Sequence, residues 1–373
     1  MNVTLDVSAV PRRLAGAGRY VFELARRLPA FGVATTLVTR RDDAIRWRES
    51  SPRAVVAPIV PDSRVVRLVY ERWSLGTSSS ARSANVWHAP HYTMPHRGST
   101  PTVVTIHDLT FFTNPEWHER AKVTFFRRAI AYAARHASVL ISVSAFTARQ
   151  LDELIPDHAP LVVAPHGVDL VRFTTESDRD GDLLSTHGLS SGVPYVLFVG
   201  TLEPRKGVDV LLRAFEEVAR GDDRIELWLA GQSGWGLDDI DQSIATHPAA
   251  TRIRRLGFVD ETVLPALLRQ SRSVAYPSRG EGFGLPVLEA LACGAMVVTS
   301  ANTVMADVAG DAAVLVVPGD VEGLARELAA VNAMSDIERS HRSLVARSRA
   351  EQFTWESSLA QHLVAYDLAS RGH

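Results

Sequence analysis

The stretch that decides the fold is VAYPSRGEGFGLPVLEALACGAMVVTSA, residues 274–301. It opens with a short apolar strand, passes a glycine-rich turn, enters a helix and leaves through a second strand. This is the pattern of a βαβ unit in a parallel sheet. Pro286 suits the first turn of the helix because its missing N–H is not needed there, and Gly294 ends the helix. The buried face of the helix consists of apolar residues: Leu285, Val287, Leu288 and Leu291.

Two carboxylates flank the helix entrance, Glu281 in the turn and Glu289 on the helix. A rise of ~1.5 Å per residue separates them by about 12 Å at most. That is too far for two carboxylates sharing one bond-breaking event, but it suits one extended ligand held at both ends. The helix N-terminus and the glycine amides between them would face an anion. The alternative is a βαβ unit with solvated glutamates.

The run E-G-F-G-L-P-V-L-E resembles the signature of retaining glycosyltransferases of family 4, which have the GT-B fold. The resemblance implies that Glu281 lies against the donor sugar and that Glu289 holds the nucleotide ribose. It also makes the intervening turn part of the donor site: Gly282, Phe283, Gly284 and Leu285. The pair Arg279-Gly280 departs from the family, where an apolar and an aromatic residue are usual, at a point that seats the donor sugar.

Length and composition bound the interpretation. The 373 residues suggest two domains, and 46% apolar with 22% charged residues is typical of a soluble globular protein. The single cysteine, Cys293, excludes a disulfide within the chain and favours a reducing compartment. No apolar run is long enough to span a bilayer and no signal-peptide pattern is present. We therefore expect a cytoplasmic protein.

The net charge of −2 hides an asymmetry between the two halves. Residues 1–170 hold 21 Arg and Lys against 14 Asp and Glu, or +7, and the remainder holds 19 against 28, or −9. Of the 40 Arg and Lys residues in the chain, only Lys122 and Lys206 are lysines. A lysine at position 206 is therefore notable.

The first half predicts one doubly wound domain. A strand at 3–7 leads to a loop with Gly16 and Gly18, then to a helix at 19–28 and a strand at 33–39. A dinucleotide-binding fingerprint needs a third small residue where Val21 stands, which disfavours a dehydrogenase. In the resembled family a similar loop approaches the donor phosphates, so Gly16 and Gly18 are predicted donor-binding residues. A simple helix-leading turn explains them equally well.

Histidines follow the strands of this half. Ligands gather at the carboxyl ends of parallel strands, and His107 comes directly after an apolar strand. The run T-I-H-D-L-T-F-F is similar to mannosyltransferase-like members of the family, in which the matching His touches the donor sugar. His88 and His91, in V-W-H-A-P-H-Y, are predicted to bind the acceptor. Ser144 matches a donor-facing serine of relatives, although helix capping alone would explain it.

The second half carries the predicted nucleotide site. Gly200 follows an apolar strand at 195–199 and begins G-T-L-E-P-R-K-G. Arg205 and Lys206 lie in a strand-to-helix loop, where two cations can neutralise a diphosphate as a bond breaks. The string resembles the family's diphosphate clamp. Gly257 and Phe258 end a further strand, where relatives hold the nucleotide base.

The fold expected is α/β of the GT-B class, with two Rossmann-like domains facing a central cleft. Their predicted limits are 1–173 and 174–350, followed by a terminal helix at 351–373 that crosses back. The expected reaction is retaining transfer of a hexose from a nucleotide-diphosphate sugar, best GDP-mannose, with UDP- or dTDP-hexoses as alternatives. His107, Glu281, Arg205 and Lys206 are the predicted catalytic residues. No metal-ligand spacing is present, so neither a metal nor another cofactor is expected.

Three rival functions remain. A glycogen-type phosphorylase needs a pyridoxal lysine, which two lysines make improbable, and an epimerase would convert the donor without an acceptor. A catalytically dead binding module is disfavoured by the presence of both glutamates and both cations. Double displacement needs carboxylates ~5 Å apart, which the Glu281/Glu289 spacing does not obviously give. Same-face attack is the usual proposal for the resembled family, and the sequence does not decide between the two mechanisms.

The acceptor prediction rests on the basic first half. Residues 63–73, S-R-V-V-R-L-V-Y-E-R-W, have helical character and mix Arg64, Arg67 and Arg72 with apolar and aromatic residues. Such a helix can lie on an anionic membrane surface, or pack on its own domain with snorkelling arginines. The charge asymmetry favours an anionic glycan or lipid-linked acceptor and peripheral membrane contact at the cytoplasmic face. No nucleic-acid partner is expected.

Overall fold

The computed structural model describes residues 1–12, 14, 16–189, 192–234 and 237–372, and within them all side chains except those of residues 64, 65, 237 and 238. The chain divides into two compact units, Met1–Gly167 with Trp355–His373, and Val168–Thr354. The sequence places these boundaries at 173/174 and 350/351. The first boundary lies earlier and the second lies later than expected. Val168 pairs with Thr354 and donates its N–H to the carbonyl of Phe353 at 3.0 Å, so both ends of the second unit lie together.

The first unit is built on a parallel sheet. Its strands are β1 (Asn2–Asp6), β2 (Ala34–Arg40), β3 (Val55–Val60), β4 (Val86–Ala89), β5 (Thr102–Ile106), β6 (Val139–Ser142) and β7 (Leu161–Val163). Its helices are α1 (Ala17–Arg27), α2 (Ala44–Ser50), α3 (Arg64–Trp73), α4 (Ser79–Arg82), α5 (Thr110–Thr113), α6 (Arg120–His136), α7 (Ala145–Leu154) and, late in the chain, α16 (Trp355–Arg371). Short 3-10 helices occupy Leu28–Phe31, Arg41–Asp43, Leu75–Thr77 and Pro115–Trp117. The strand order is β3-β2-β1-β4-β5-β6-β7.

Both faces of this sheet are covered, as alternating side chains of its strands show. Val103 of β5 joins one hydrophobic cluster, together with residues of α1, α2 and α16. The next residue, Val104, joins another, together with residues of α6 and α7. Successive residues of a strand point to opposite faces, so a sheet buried on both sides needs continuous apolar runs.

The second unit repeats this plan. Its strands are β8 (Tyr195–Val199), β9 (Glu226–Ala230), β10 (Ile253–Gly257), β11 (Ser273–Tyr276), β12 (Val297–Ser300) and β13 (Val314–Val316). Its helices are α8 (Asp180–Thr186), α9 (Val208–Gly221), α10 (Leu237–Ala245), α11 (Leu264–Gln270), α12 (Leu285–Ala292), α13 (Val304–Ala309), α14 (Val321–Asn332) and α15 (Asp336–Ala350). Short 3-10 helices occupy Pro204–Lys206, Ala250–Arg252 and Gly310–Ala312. The parallel strand order is β10-β9-β8-β11-β12-β13.

The stretch at 274–301 forms the predicted strand, helix and strand. It runs through β11, α12 and β12, and Val274 pairs with Val297 in parallel register. Gly294 follows the helix with φ 68° and donates its N–H to the carbonyl of Leu291 at 2.9 Å. The predicted apolar face of α12 is buried. Two doubly wound parallel α/β units therefore confirm the predicted fold class.

Candidate donor site

The second sheet changes direction of strand order between β8 and β11, which lie side by side at its centre. Loops leaving the carboxyl ends of two such strands diverge and leave a crevice, which is where open α/β sheets bind ligands. Arg205 and Lys206 lie in the loop after β8, and Glu281 lies in the loop after β11. The topology therefore brings these three predicted catalytic residues together.

A tight turn presents the two cations. Pro204–Lys206 forms a single 3-10 turn, which closes when the N–H of Gly207 reaches the carbonyl of Pro204 at 3.0 Å. Gly207 has φ 70°, and a Cβ there would lie 2.1 Å from the carbonyl oxygen of Pro277. Only glycine meets both conditions. The two loops thus pack backbone against backbone.

Four side chains donate to the carboxylate of Glu281. Lys206 Nζ forms an ion pair with Oε1, and Arg205 Nη1 lies 3.3 Å from Oε2. The Tyr276 hydroxyl donates to Oε1 at 2.8 Å, and Ser278 Oγ donates to the same oxygen at 3.2 Å. The carboxylate is therefore held by two cations and two hydroxyl groups.

The electrostatics of the site follow from this packing. Burial would raise the pKa of Glu281, but attraction from Lys206 and then from Arg205 outweighs it and holds that pKa at about 2. Burial lowers the pKa of Lys206, and Glu281 opposes the change. Burial and then the Glu281 charge raise the pKa of Tyr276 well above its ordinary value. At neutral pH, Glu281 is an anion and Tyr276 is a hydrogen-bond donor.

Other predicted donor residues surround this group. Gly200 follows β8 directly and donates its N–H to the carbonyl of Ala230 at 2.9 Å. Gly257 ends β10, and Phe258 beside it keeps 43% of its surface exposed. The structure therefore places Gly257 and Phe258 at the end of the strand, as predicted.

The turn that enters α12 divides into backbone and packing positions. Gly282 leads into Phe283 and Leu285, which are both buried, while Gly284 is the N-cap of the helix. Side chains at 283 and 285 therefore pack in the unit, and only their backbone can meet a ligand. Glu289 lies half-buried in the second turn of α12.

In the first unit, β1 and β4 are the neighbours at which strand order changes direction. Gly16 lies after β1 as the exposed N-cap of α1, and its carbonyl accepts from the N–H of Arg19 at 3.0 Å. Gly18 is buried within α1. Residues 13 and 15 of this loop lie outside the described part of the chain.

His107 is buried just past β5, and its ring orientation is fixed. Its Nε2 donates to the carbonyl of Pro90 at 2.7 Å, so the neutral ring keeps Nδ1 as an acceptor. The rings of Tyr20 and Tyr92 pack edge-on against it, with centroids 5.2 Å and 5.7 Å away. Burial lowers the pKa of His107, with the Pro90 bond opposing it. His107 therefore offers one acceptor nitrogen.

His91 lies close to His107, with ring centroids 6.0 Å apart. Burial, and then the charges of His107 and Arg67, lower the pKa of His91 to about 3. Within the described residues, its buried Nε2 has no hydrogen-bond partner. A buried polar atom without a partner is costly, so a hydrogen-bond partner supplied by a ligand would relieve that cost.

His88 does not fit the acceptor role predicted for it. The ring is fully buried, with Nδ1 2.8 Å from the Tyr366 hydroxyl and Nε2 2.8 Å from Thr105 Oγ1. Both ring nitrogens are therefore occupied inside the unit. His88 lies within β4, where its side chain points under α16 rather than past the end of the sheet.

A chain of hydrogen bonds continues from Thr105, and its direction can be assigned from one fixed acceptor. The carbonyl of Ser358 accepts from His362 Nδ1 at 2.7 Å, so His362 Nε2 must accept from the Tyr20 hydroxyl, also at 2.7 Å. Tyr20 then accepts from Thr105, and Thr105 accepts from His88 Nε2. The Tyr366 hydroxyl closes the chain by donating to His88 Nδ1.

Ser144 acts as a cap. Its hydroxyl accepts from the N–H of Thr147 at 3.0 Å and donates to the hydroxyl of the same residue, also at 3.0 Å. These local bonds account for its position at the start of α7. The donor contact predicted for Ser144 has no separate support in this geometry.

Two family models match the chain. The model described as Glycosyltransferase Family 4 matches residues 14–172, and the model described as Glycosyl transferases group 1 matches residues 183–348. The O-antigen chain mannosyltransferase B of Escherichia coli is 31% identical over 285 residues, which cover 76% of this chain and 74% of that relative. The chain belongs to the family 4 glycosyltransferases.

Solved structures show the same fold for this glycosyltransferase. Sucrose-phosphate synthase from Thermosynechococcus elongatus superposes with a TM-score of 0.81 at 20% identity and covers 99% of both chains. HepE of Anabaena, in complex with UDP-glucose, gives a TM-score of 0.76 at 20% identity over 99% of this chain and 100% of that chain. Both are GT-B glycosyltransferase structures, so the predicted GT-B fold is confirmed.

The basic helix α3 of the glycosyltransferase has an inner and an outer face. Arg67 is turned inward and donates to the carbonyl of Ser8 at 2.9 Å. Val66, Val69 and Trp73 are exposed on the other face, and the guanidinium group of Arg72 lies 5.3 Å from the Trp73 ring centroid. The side chains of Arg64 and Val65 lie outside the described residues.

The described part of the glycosyltransferase contains neither a helix that could span a membrane nor a cluster of metal-ligating side chains. Over residues 1–12, 14, 16–189, 192–234 and 237–372, no helix combines the length and apolarity that crossing a bilayer requires. Within the same ranges, no three His, Cys, Asp or Glu side chains are grouped so that they could ligate a metal.

Three partners of the donor site are missing from the sequence prediction: Glu203, Tyr276 and Ser278. Glu203 Oε1 lies 2.8 Å from Arg205 Nη2 and fixes that guanidinium. Tyr276 is the last residue of β11, so the strand-end rule that singled out His107 applies to it equally. Glu203 lies in the G-T-L-E-P-R-K-G string, which could have nominated it, and no comparable signal marks Ser278.

Proposed function

We propose that this family 4 glycosyltransferase moves a hexose from a nucleotide-diphosphate sugar to a hydroxyl of a glycan or lipid-linked acceptor, with retention of configuration. The observation that carries the proposal is the group of Arg205, Lys206 and Glu281 where β8 and β11 end. Two cations and one ionised carboxylate match a donor that carries a diphosphate at one end and hydroxyl groups at the other.

The cations are assigned to the leaving group. When the anomeric C–O bond breaks, its electron pair goes to the phosphate oxygen, and Arg205 and Lys206 offset the charge that develops there. Glu281 occupies the same cations in the structure described. With the donor bound, its carboxylate would accept hydrogen bonds from the sugar hydroxyl groups.

The acceptor attacks without an enzyme nucleophile in this proposal. Its hydroxyl oxygen forms the new bond to the anomeric carbon on the face from which the diphosphate departs, and its proton passes to a phosphate oxygen. His107 would accept from a donor-sugar hydroxyl through Nδ1, and Nε2 of His91 would form a hydrogen bond with the acceptor hydroxyl. His88 has no part in this scheme because its nitrogens are occupied.

Removing the proposed cations tests the function. Arg205→Ala and Lys206→Ala should each lower turnover about 10²–10³-fold, because each removes a contact that strengthens as charge develops. Lys122→Ala is the matched control, since Lys122 forms an exposed pair with Glu119 in the first unit. Near-normal turnover in the Arg205→Ala/Lys206→Ala double variant would overturn the proposal.

The same assignment makes a bound metal unnecessary. If Arg205 and Lys206 supply the counter-charge for the diphosphate, transfer should persist in the presence of EDTA at a rate close to that measured with Mg²⁺. Loss of activity that Mg²⁺ or Mn²⁺ restores would show that the two cations do not suffice.

GDP-mannose is the proposed donor. The E. coli relative carries the name of a mannosyltransferase, and the run around His107 is similar to such enzymes. The UDP-glucose in the HepE complex keeps a UDP-hexose as the principal alternative. Binding raises the unfolding temperature by mass action, so thermal-shift measurements with GDP, UDP and dTDP separate the two. An unfolding temperature that rises with UDP but not with GDP would replace GDP-mannose by a UDP-hexose as the proposed donor.

Peripheral contact with an anionic membrane is proposed for the exposed face of α3. Val69 and Trp73 keep 58% and 44% of their surface exposed, and arginines beside lipid phosphates add roughly 1 kcal/mol each at low salt. Such a face would serve an anionic, lipid-linked acceptor at the cytoplasmic side. The protein should therefore co-sediment with phosphatidylglycerol vesicles at low salt.

A pair of matched variants makes the vesicle experiment specific. Val69→Asp should reduce sedimentation several-fold, whereas Ile337→Asp should not, because Ile337 is exposed on α15 of the acidic second unit. Failure of the unaltered protein to sediment at low salt would leave a soluble acceptor as the better proposal.

A further inference from the structure

Arg279 is committed to a contact that its position in the donor loop does not suggest. Its two terminal nitrogens lie 2.9 Å and 2.7 Å from the two carboxylate oxygens of Asp209, a two-point contact that fixes the guanidinium plane. Nη1 also donates to the carbonyl of Pro204. With both terminal nitrogens engaged, the guanidinium faces the turn after β8 rather than a donor sugar.

The two loops are cross-linked in both directions. Arg205 of the first loop donates to the carbonyl of Gly280 in the second at 2.7 Å, while Arg279 of the second donates to the carbonyl of Pro204 in the first. The N–H of Arg279 adds a bond to the carbonyl of Arg205 at 2.9 Å. Each arginine therefore binds the main chain of the opposite loop.

These cross-links differ from the Glu281 contacts in one respect. Glu281 holds the cationic ends of Arg205 and Lys206, the groups that must turn toward a diphosphate when the donor binds. Arg279 holds the main chain of the same turn, and Asp209 fixes Arg279. That restraint does not depend on where the two cationic ends point.

We propose that Arg279, with Asp209 as its partner, is a positioning residue that keeps the Pro204–Lys206 turn in place while its cations bind the β-phosphate. The inference rests on the proposed function of Arg205 and Lys206. The Arg279–Asp209 pair is 28% and 47% exposed, so water screens it and it contributes little to stability. Its effect is geometric. A displacement of a binding group by about 1 Å can lower the reaction rate about 10²-fold in such a site.

Nucleotide binding without any sugar or acceptor tests the inference. Affinities are measured by calorimetry for GDP and GMP, for UDP and UMP, and for dTDP and dTMP, using the pair that the unaltered protein binds. Arg279→Met should lower the affinity for the nucleoside diphosphate about tenfold and change the affinity for the monophosphate by less than about twofold. The reason is that only the β-phosphate contacts the turn in this proposal. Asp209→Asn should show the same preference more weakly. Arg279→Lys should lie between, since an ammonium cannot make the two-point contact.

Arg220→Met is the control, because Arg220 lies on the same helix as Asp209 in an exposed pair with Glu216 and Glu217. Equal weakening of diphosphate and monophosphate, or no weakening at all, in Arg279→Met would overturn the positioning role. That outcome leaves the proposed function standing if the Arg205→Ala/Lys206→Ala variant is inactive. An unaltered protein that binds none of the three nucleoside diphosphates overturns both.

Discussion

Replacing Lys206 by methionine removes a charge while keeping most of the side-chain length. The Lys206 and Glu281 side chains are only 11% and 12% exposed, so Glu281 would lose its nearest counter-charge in a largely dry site. Removing one partner of a buried pair typically costs about 3–5 kcal/mol. Arg205, Tyr276 and Ser278 would still contact the carboxylate, which reduces the expected cost.

The pKa of Glu281 gives the scale of this effect. It falls from 4.5 to about 2, and about 1.4 kcal/mol per pKa unit makes the ionised form worth about 3 kcal/mol at neutral pH. Lys206 is the largest favourable contributor, but burial of its own charge lowers the pKa of Lys206 and offsets part of that gain. We therefore expect Lys206→Met to cost about 2 kcal/mol. For a unit of this size that corresponds to a drop of about 4–8 °C in the unfolding temperature.

A second substitution separates folding from catalysis. Glu281→Gln in the Lys206→Met background removes the stranded anion, so the double variant should regain most of the lost unfolding temperature. Its turnover should stay at least about 10²–10³-fold low, because the diphosphate still lacks a cation and the donor sugar also loses the Glu281 carboxylate.

Scanning calorimetry and a transfer assay on the single variants, the double variant and Lys122→Met provide the measurements. Lys122→Met should change neither quantity. If turnover recovers together with stability in the double variant, Lys206 acts through folding and the catalytic assignment is wrong.

Three further outcomes are expected. The pKa of His362 is lowered from 6.5 to about 4 by burial, so the unfolded chain binds a proton that the folded one refuses. Through His362 alone, stability should therefore fall by about 3 kcal/mol between pH 6.5 and 4. His362→Gln should make the fall shallower by that amount in a series of thermal scans, and the other buried histidines with lowered pKa values should retain the rest. Gly207→Ala should lower turnover at least about tenfold, because the added Cβ would collide with the Pro277 carbonyl. Gly188→Ala is the control, since Gly188 has a similar φ of 69° but open space around it, and equal losses of turnover would contradict the steric argument. Glu289→Ala should weaken calorimetric binding of the free nucleoside diphosphate more than Glu281→Ala does, and equal losses would refute the division of roles.

Local pattern accounts well for much of the fold. The strand predicted at 195–199 coincides with β8, and the helix predicted at 19–28 lies within two residues of α1, because these segments have continuous or periodic apolar residues. Helix α6 was not predicted although it spans Arg120–His136. Only Ile130 and two alanines of α6 are buried, and alanine contributes little to an apolar pattern.

The candidate site divides in the same way. Arg205, Lys206 and Glu281 follow strand ends and lie in motifs, so sequence alone could nominate them. The Arg279–Asp209 contact joins residues 70 positions apart, and the His88–Tyr366 bond joins residues 278 positions apart. Nothing local to either residue encodes such a partner. His88 was wrongly assigned because the docking of α16 over its strand cannot be inferred from the strand.

The hydrogen bonds that run from Tyr366 to Ser358 have a practical consequence for protein engineering. They begin and end on α16 and pass through Tyr20, whose ring packs against His107. A C-terminal truncation that removes α16 would therefore leave the Tyr20 hydroxyl without its acceptor, His362, and would weaken the packing of Tyr20 against His107 in the first half of the sequence. A tag or fusion joined after α16 keeps this chain of hydrogen bonds, whereas a version shortened before α16 would break it.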